Sequence, residues 1–322
     1  MKFFEKALAG VAVAAAFVVA TPAQASTLAI ADLFINSLGL GSIQLDQNNA
    51  PVFVPFAGTL AISNESRTGT AASSYNGVVG TGSGAGSIQK NGAVVVDVAN
   101  RCAGDCSGGA SLYSAGTENN FYEHITSPGT VNFALGDMYI GGTALGGGTV
   151  QGLTRANAMT AGATNAGGSN ATILNSGRIS GTFTTGSTFT GNVLVGADYW
   201  LQAFVDSVLP AQGQASAGFG WNIGITCSGA NCGTGWSDLF FAPTGLNKSI
   251  SSYEFGDNQV FSNAAYTAIS DARTFVQGVN YAFTINQSSN VTVSEIPEPE
   301  SLALVGLGLL GLAASRRRKS VK

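Results

Sequence analysis

Apolar positions along this chain fall mostly on every second residue, in short runs broken by Gly, Asn, Ser and Asp. A period of two, with Thr, Val, Ile and Phe at the alternating sites, predicts strands separated by turns. AGTLAISNESRTG and GAVVVDVANR have this character, the second with Val94, Val96 and Val98 on one face. GRISGTFTTGSTFTGNVLVG alternates through Ile179, Phe183, Phe189, Val193 and Val195. YAFTINQSSNVTVSEI reads as a hairpin, in which Tyr281, Phe283 and Ile285 alternate inward, a polar turn follows, and Val291 and Val293 resume on the return strand. Two long strands are expected around Pro210 to Gly213. In the first, Tyr199, Leu201, Ala203 and Val205 share one face while Trp200, Gln202 and Phe204 take the other. A strand with aromatics on both faces belongs between packed layers, which favours a β-sandwich or jelly roll over an open sheet.

Two stretches give weaker signals. LAIADLFINSL fits either a short helix or a first strand through Leu28 and Ile30, because periodicity does not separate the two. Residues 141–172, rich in Gly, Ala and Thr, read as a long loop or a flat ribbon with few anchors. No internal repeat has a stable period, which counts against a β-solenoid.

The two ends have a different character. Lys2 and Lys6 precede an apolar run from Ala7 to Ala20, followed by Thr21, Pro22 and the small-residue triplet Ala23-Gln24-Ala25. This is the layout of a secretory signal peptide cleaved after Ala25, so the export translocon and signal peptidase are expected partners. At the other end, the apolar run Leu302 to Ala314 would reach only about 20 Å as a helix, against a hydrocarbon core of about 30 Å. Such a segment is a weak permanent anchor and a sufficient temporary one. Arg316, Arg317, Arg318 and Lys319, with Lys322, would hold that end in the cytoplasm. Just before the run, Pro297 and Pro299 flank Glu298; two prolines fix φ and remove backbone donors, which keeps the stretch extended and open to an enzyme's groove.

Pro297-Glu298-Pro299, then Leu302 to Ala314, then Arg316 to Lys319 resemble the PEP-CTERM sorting signal of Gram-negative bacteria. The resemblance implies that the tail is a substrate of exosortase, a membrane-embedded processing enzyme. It also implies an association with exopolysaccharide production, flocculation or biofilm growth. It covers only the last 26 or so residues and defines a route, not an activity. The organisation expected is therefore a signal peptide over 1–25, an exported β-rich domain over 26–294 and a sorting signal over 295–322. The fold expected is mostly β, a sandwich- or jelly-roll-like domain flanked by an N-terminal signal-peptide helix and a C-terminal hydrophobic helix.

Charge narrows the partners. The chain has 14 Lys and Arg against 18 Asp and Glu. The leader takes away Lys2, Glu5 and Lys6, and the tail takes five basic and two acidic residues, which leaves 7 basic against 15 acidic, a net of -8. An acidic product argues against binding nucleic acid or anionic lipid through a basic face. Charged residues are only 10% of the chain and 44 of 322 residues are Gly, so Ser, Thr, Asn and Gln must solvate the surface. Such a surface also suits sugar hydroxyls, which match neutral donors and acceptors.

Candidate chemistry is sparse. Cys102 with Cys106, and Cys227 with Cys232, are local pairs that an exported chain would oxidise to disulfides at loop tips; a zinc site built from all four thiolates is the alternative. GDCSGG at Gly104 to Gly109 looks like a serine-protease loop, but Cys106 interrupts it and the single histidine, His124, follows Ser107 instead of preceding it. GTGSGAGS from Gly80 lacks the lysine and the following helix of a phosphate loop. No motif for a metal or cofactor is present, and none is expected. Glu123, Asp137, Asp198, Asp206 and Glu254 are possible partners in a glycosidase-like carboxylate pair, though no spacing singles one out. Trp200, Trp221 and Trp236, with Tyr199 and Phe240, could stack on sugar rings, core burial being the commoner fate of such side chains. The sequence thus points to an exported, non-catalytic surface or matrix protein associated with extracellular polysaccharide. The alternatives are a carbohydrate-binding module and a secreted hydrolase.

Overall fold

The computed structural model describes residues 25–80, 87–91, 97–104, 132–141, 145, 151–161, 170–207, 212–227, 231–233, 235–254, 256–296 and 307–308. In chain order the described strands are β1 (Ala25–Leu45), β2 (Pro51–Pro55), β3 (Leu60–Tyr75), β4 (Val78–Val79), β5 (Ser87–Asn91), β6 (Asp97–Gly104), β7 (Phe133–Gly141), β8 (Gln151–Ala161), β9 (Asn170–Thr185), β10 (Phe189–Ser207), β11 (Gln212–Cys227), β12 (Leu239–Phe241), β13 (Asn247–Ser252), β14 (Asn258–Ile269), β15 (Arg273–Phe275) and β16 (Tyr281–Ile296). They form two sheets of eight strands. The first runs β14-β10-β1-β8-β7-β6, with β15 on β10 and β2 on β1. The second runs β12-β11-β16-β9-β3-β4, with β13 on β11 and β5 on β3. Paired strands are antiparallel, and the sheets stack face to face: β1 lies over β11 and β16, β8 over β16 and β9, and β7 over β9 and β3. This is the sandwich that alternation predicts.

The packing explains β1. Ala29, Ala31, Leu33 and Ile35 point into the space between the sheets, while Leu28 and Ile30 point to the opposite face and join Cys102, Phe133, Leu135 and Met159 in a second buried cluster. A strand buried on both faces shows no clean alternation, which is why its sequence also fitted a helix. A register shift between Ile35 and Ser37 then moves the inward side to Leu38 and Leu40. Small side chains, among them Ala156, Ala158, Ala203, Ala215 and Ala217, occupy much of the inner layer. At one end of the sandwich Phe183, Phe189, Phe275 and Tyr281 fill it instead, with neighbouring ring centroids 5.2–5.9 Å apart.

Two expectations are corrected. Tyr281–Ile296 is one strand of 16 residues, not a hairpin. The stretch read as a turn continues the strand because its inward polar residues find partners in the core. Gln287 Nε2 donates to the Leu33 carbonyl at 2.9 Å, the Gly152 carbonyl at 3.1 Å and Thr154 Oγ1 at 3.1 Å. Ser289 Oγ is 2.8 Å from Thr154 Oγ1 and donates to the Thr154 carbonyl at 3.0 Å. Satisfied in this way, polar side chains are tolerated between two sheets. Residues 151–161, expected within a loop or ribbon, form β8, an interior strand between β1 and β7. Its inward residues are Thr154, Ala156, Ala158 and Thr160, too small or too polar to register as a hydrophobic stripe. Val94 and Val96 lie outside the described residues. So do the expected terminal helices, apart from Leu307 and Gly308, which are helical. Among the described residues no helix is long and apolar enough to cross a membrane.

Candidate functional site: the sorting junction and the open face of the second sheet

The two sheets exchange the chain between β10, which ends at Ser207, and β11, which begins at Gln212. Ala25 is the register partner of Ser207, and Ile296 that of Gln212. A Cβ on Gly213 would lie 2.5 Å from Thr27 Cγ2, so the start of β1 packs directly over the start of β11. The start of β1 at Ala25 and the last residue before Pro297 therefore lie at the same pole of the domain. Glu295 and Ile296 still belong to β16, and only residues 297–301 separate the strand from the apolar run that begins at Leu302. Fully extended, five residues span about 17 Å, so a tail lodged in a membrane would keep this pole close to the bilayer. Pro297, Glu298, Pro299, Arg316, Arg317, Arg318 and Lys319 themselves lie outside the described residues.

Cys227 and Cys232 form a disulfide at the opposite pole, just past the end of β11. Cys102 is disulfide-bonded as well; Cys106, its expected partner, lies outside the described residues. Oxidised sulfurs are not thiolates, which removes the four-cysteine zinc alternative. Among the described residues no group of three or more His, Cys, Asp or Glu could hold a metal ion.

The three tryptophans occupy three separate environments. Trp221 is 1% exposed in the sandwich core, edge-on to Phe241 at 6.1 Å, and so has no face left for a sugar ring. Trp236 is half-buried at the aromatic pole, 4.9 Å from the Tyr281 ring, and its Nε1 donates to Asp238 Oδ1 at 3.2 Å. Trp200 is half-buried against the second cluster on the far side of the first sheet, and its Nε1 donates to Gln202 Oε1 at 3.3 Å. They form no common platform. Tyr199 is buried and stacks on Phe261 at 5.1 Å. Phe240, by contrast, is 73% exposed.

The acidic candidates are equally dispersed. Asp198 accepts a hydrogen bond from Asn36 Nδ2 at 3.3 Å; partial burial raises its pKa above the ordinary value and the Asn36 bond opposes that. Asp206 lies eight residues further along β10, about 27 Å at strand rise, and Asp137 sits three strands away on β7, about 14 Å. Glycosidase carboxyl pairs are closer, about 5–9.5 Å. Glu254 is exposed in the loop after β13, and Glu123, Ser107 and His124 lie outside the described residues.

The structure assembles a feature that no single motif announced. The outward positions of the second sheet form rows across the strands. One row runs Asn222, Asn286, Arg178, Thr68; the next runs Phe240, Gly224, Thr284, Ser180, Ser66. Further rows run Gly220, Ser288, Ser176, Thr70 and Ser216, Thr292, Thr172, Ser74. Across β11, β16, β9 and β3, Arg178 is the one charged residue among these outward positions. The face is open: Arg178, Asn290, Thr292, Thr68 and Thr70 are exposed. Asn286 Nδ2 donates to Asn222 Oδ1 at 2.9 Å, and Ser63 and Thr182 hydroxyls meet at 2.9 Å, so neighbouring side chains hold one another in place. The alternation of Ser, Thr and Asn was legible in YAFTINQSSNVTVSEI, but Gln287 and Ser289 on the buried parity hid it.

No curated protein and no solved structure matches the chain. A family model does match at one end: residues 295–319 fit the PEP-CTERM protein-sorting motif. The match begins inside β16, at Glu295, and so includes the point where the strand gives way to Pro297. The motif supports an exported protein sorted by exosortase. The chain thus carries a PEP-CTERM sorting motif that begins within the last strand of a two-sheet domain without a match of its own.

Proposed function

We propose that this is a non-catalytic surface or matrix protein of a Gram-negative bacterium. It is held briefly in the inner membrane by its tail, cut by exosortase, and associated with extracellular polysaccharide in a biofilm or floc. The observation that carries the reading is the direct junction between the sorting signal and a domain whose open face offers hydroxyls and amides with a single charge. Sugars present hydroxyls at every ring position, and neutral donors and acceptors on a flat sheet complement them. An acidic domain of low charge density would also disperse in a hydrated matrix without binding nucleic acid. The same open face favours the carbohydrate-binding reading over the hydrolase.

The test is the intact mass of the mature protein from cell-surface and medium fractions, with and without Pro297, Glu298 and Pro299 replaced by alanine. Loss of the tail in the wild type and its retention in the variant is the expected result. A tail retained in both would leave an ordinary tethered protein and overturn the proposal.

A further inference from the structure

Three neighbouring features on the outer face of the second sheet coincide. The first is Phe240, the middle residue of the three-residue strand β12, whose ring stands 73% exposed. An aromatic ring left this open has a face free to stack on a partner.

The second is the glycine beside it. Gly224 is the register partner of Phe240, and a Cβ added there would meet nothing closer than the Leu239 carbonyl at 4.0 Å. Neither crowding nor a positive φ demands glycine at this position. Gly218 and Gly220 share the outward side of β11, but there a Cβ would come within 3.2–3.4 Å of the Ser288, Asn247 or Asn290 side chains, so crowding accounts for glycine at those two positions and leaves Gly224 as the unexplained one. Glycine inside a strand destabilises it by roughly 0.5–1 kcal/mol relative to alanine. Where nothing in the fold requires it, glycine keeps a surface clear for close approach by another molecule. Gly224 thus leaves the surface low between Phe240 on β12 and Thr284 on β16, with the outward side chain of Asn222 next along β11.

The third is the adjoining row, which crosses the strands one outward position further along β11. Asn222 and Asn286 are joined by their own hydrogen bond, which leaves the Asn286 carbonyl oxygen and the Asn222 amide nitrogen for a ligand. Arg178 follows in register and is exposed, with five donors in a planar fork.

From this juxtaposition we infer a glycan subsite: an uncharged polysaccharide segment crosses the strands from β12 toward β9, stacks a sugar ring on Phe240 beside Gly224 and places ring hydroxyls against Asn222, Asn286 and Arg178. The ligand is neutral because, Arg178 apart, the face offers only uncharged groups and the domain is acidic overall, so a polyanion meets net repulsion that one cation does not offset. A sugar ring offers an apolar C–H face to an aromatic and hydroxyls at its edge, which is the combination found here. This subsite rests on the polysaccharide-associated reading and goes beyond it by giving the contact a place and a chemistry.

The test uses the mature, oxidised protein. Its binding to cellohexaose, laminarihexaose and mannohexaose is measured by calorimetry, with polygalacturonate as the acidic comparator. At least one neutral hexasaccharide should bind. Phe240→Ala should weaken it about tenfold, Phe240→Tyr should restore it, and Arg178→Gln should weaken it severalfold. Both side chains are exposed, so thermal unfolding of the variants should match the wild type. Preference for polygalacturonate, or neutral binding that Phe240→Ala leaves unchanged, overturns the subsite. The producing strain's purified polysaccharide separates the two readings: binding there that survives both substitutions removes the subsite and keeps the association, whereas absence of all binding removes both.

Discussion

Replacing Gln287 by leucine tests whether the middle of the sandwich is held by polar contacts or merely tolerates them. The side chain is 8% exposed and its Nε2 serves three acceptors, the Leu33 and Gly152 carbonyls and Thr154 Oγ1. Leucine has a similar volume, so the substitution removes donors without opening a large cavity. The amide nitrogen has two N–H groups to share among these acceptors, and each net hydrogen bond is worth about 0.5–1.5 kcal/mol, which gives a loss of about 1–3 kcal/mol for the set. At about 2.1 cal/mol/K per residue, the domain of about 270 residues has an unfolding entropy near 0.57 kcal/mol/K, so a loss of about 2 kcal/mol lowers Tm by about 3.5 °C. Circular dichroism on the mature protein reads this directly, and a urea titration at fixed m checks that the unfolded state is unchanged. A variant that melts within about 1 °C of the wild type, or above it, would refute the reasoning. The network would then be a polar inclusion that hydrophobic packing replaces without cost.

Replacing Cys227 and Cys232 together by serine reopens a loop closed over a sequence separation of 5. The loop-entropy relation puts the loss at about 2 kcal/mol, or about 4 °C, with the fold retained; a collapse of the far-ultraviolet spectrum would contradict a local role. Asp198→Asn addresses pH. The folded carboxyl titrates above its unfolded value because burial disfavours the charge, so whatever stability it contributes is present below the ordinary aspartate range and is lost as pH rises through the raised folded value. The asparagine variant should therefore match the wild type in acid and melt higher at neutral pH, and a Tm difference that is constant from pH 3 to pH 7 would count against that account.

Much of this protein is legible before any folding is considered. The sorting motif is a linear signal, as is the signal peptide expected over residues 1–25; machinery that meets an extended chain reads such signals, so local composition and order suffice to define them. Strand character in the 177–207 and 212–227 stretches was equally plain, because β-branched and aromatic residues at a period of two describe a strand wherever it ends up. Pairing of Cys227 with Cys232 followed from proximity along the chain.

What tertiary structure decided depends on partners far away in sequence. YAFTINQSSNVTVSEI could be known as one strand only once Leu33, Gly152 and Thr154 were in place to satisfy Gln287 and Ser289. β8 could be recognised as an interior strand only when its small inward residues faced a second sheet. Trp221 is a core residue and Phe240 an exposed one because of which face of the second sheet each occupies, a distinction their neighbours in sequence do not reveal. The common pole of Ala25 and Ile296, and the open face on which Phe240, Gly224 and Asn286 meet, arise from strand order, and strand order is set by non-local burial that no window of the sequence contains.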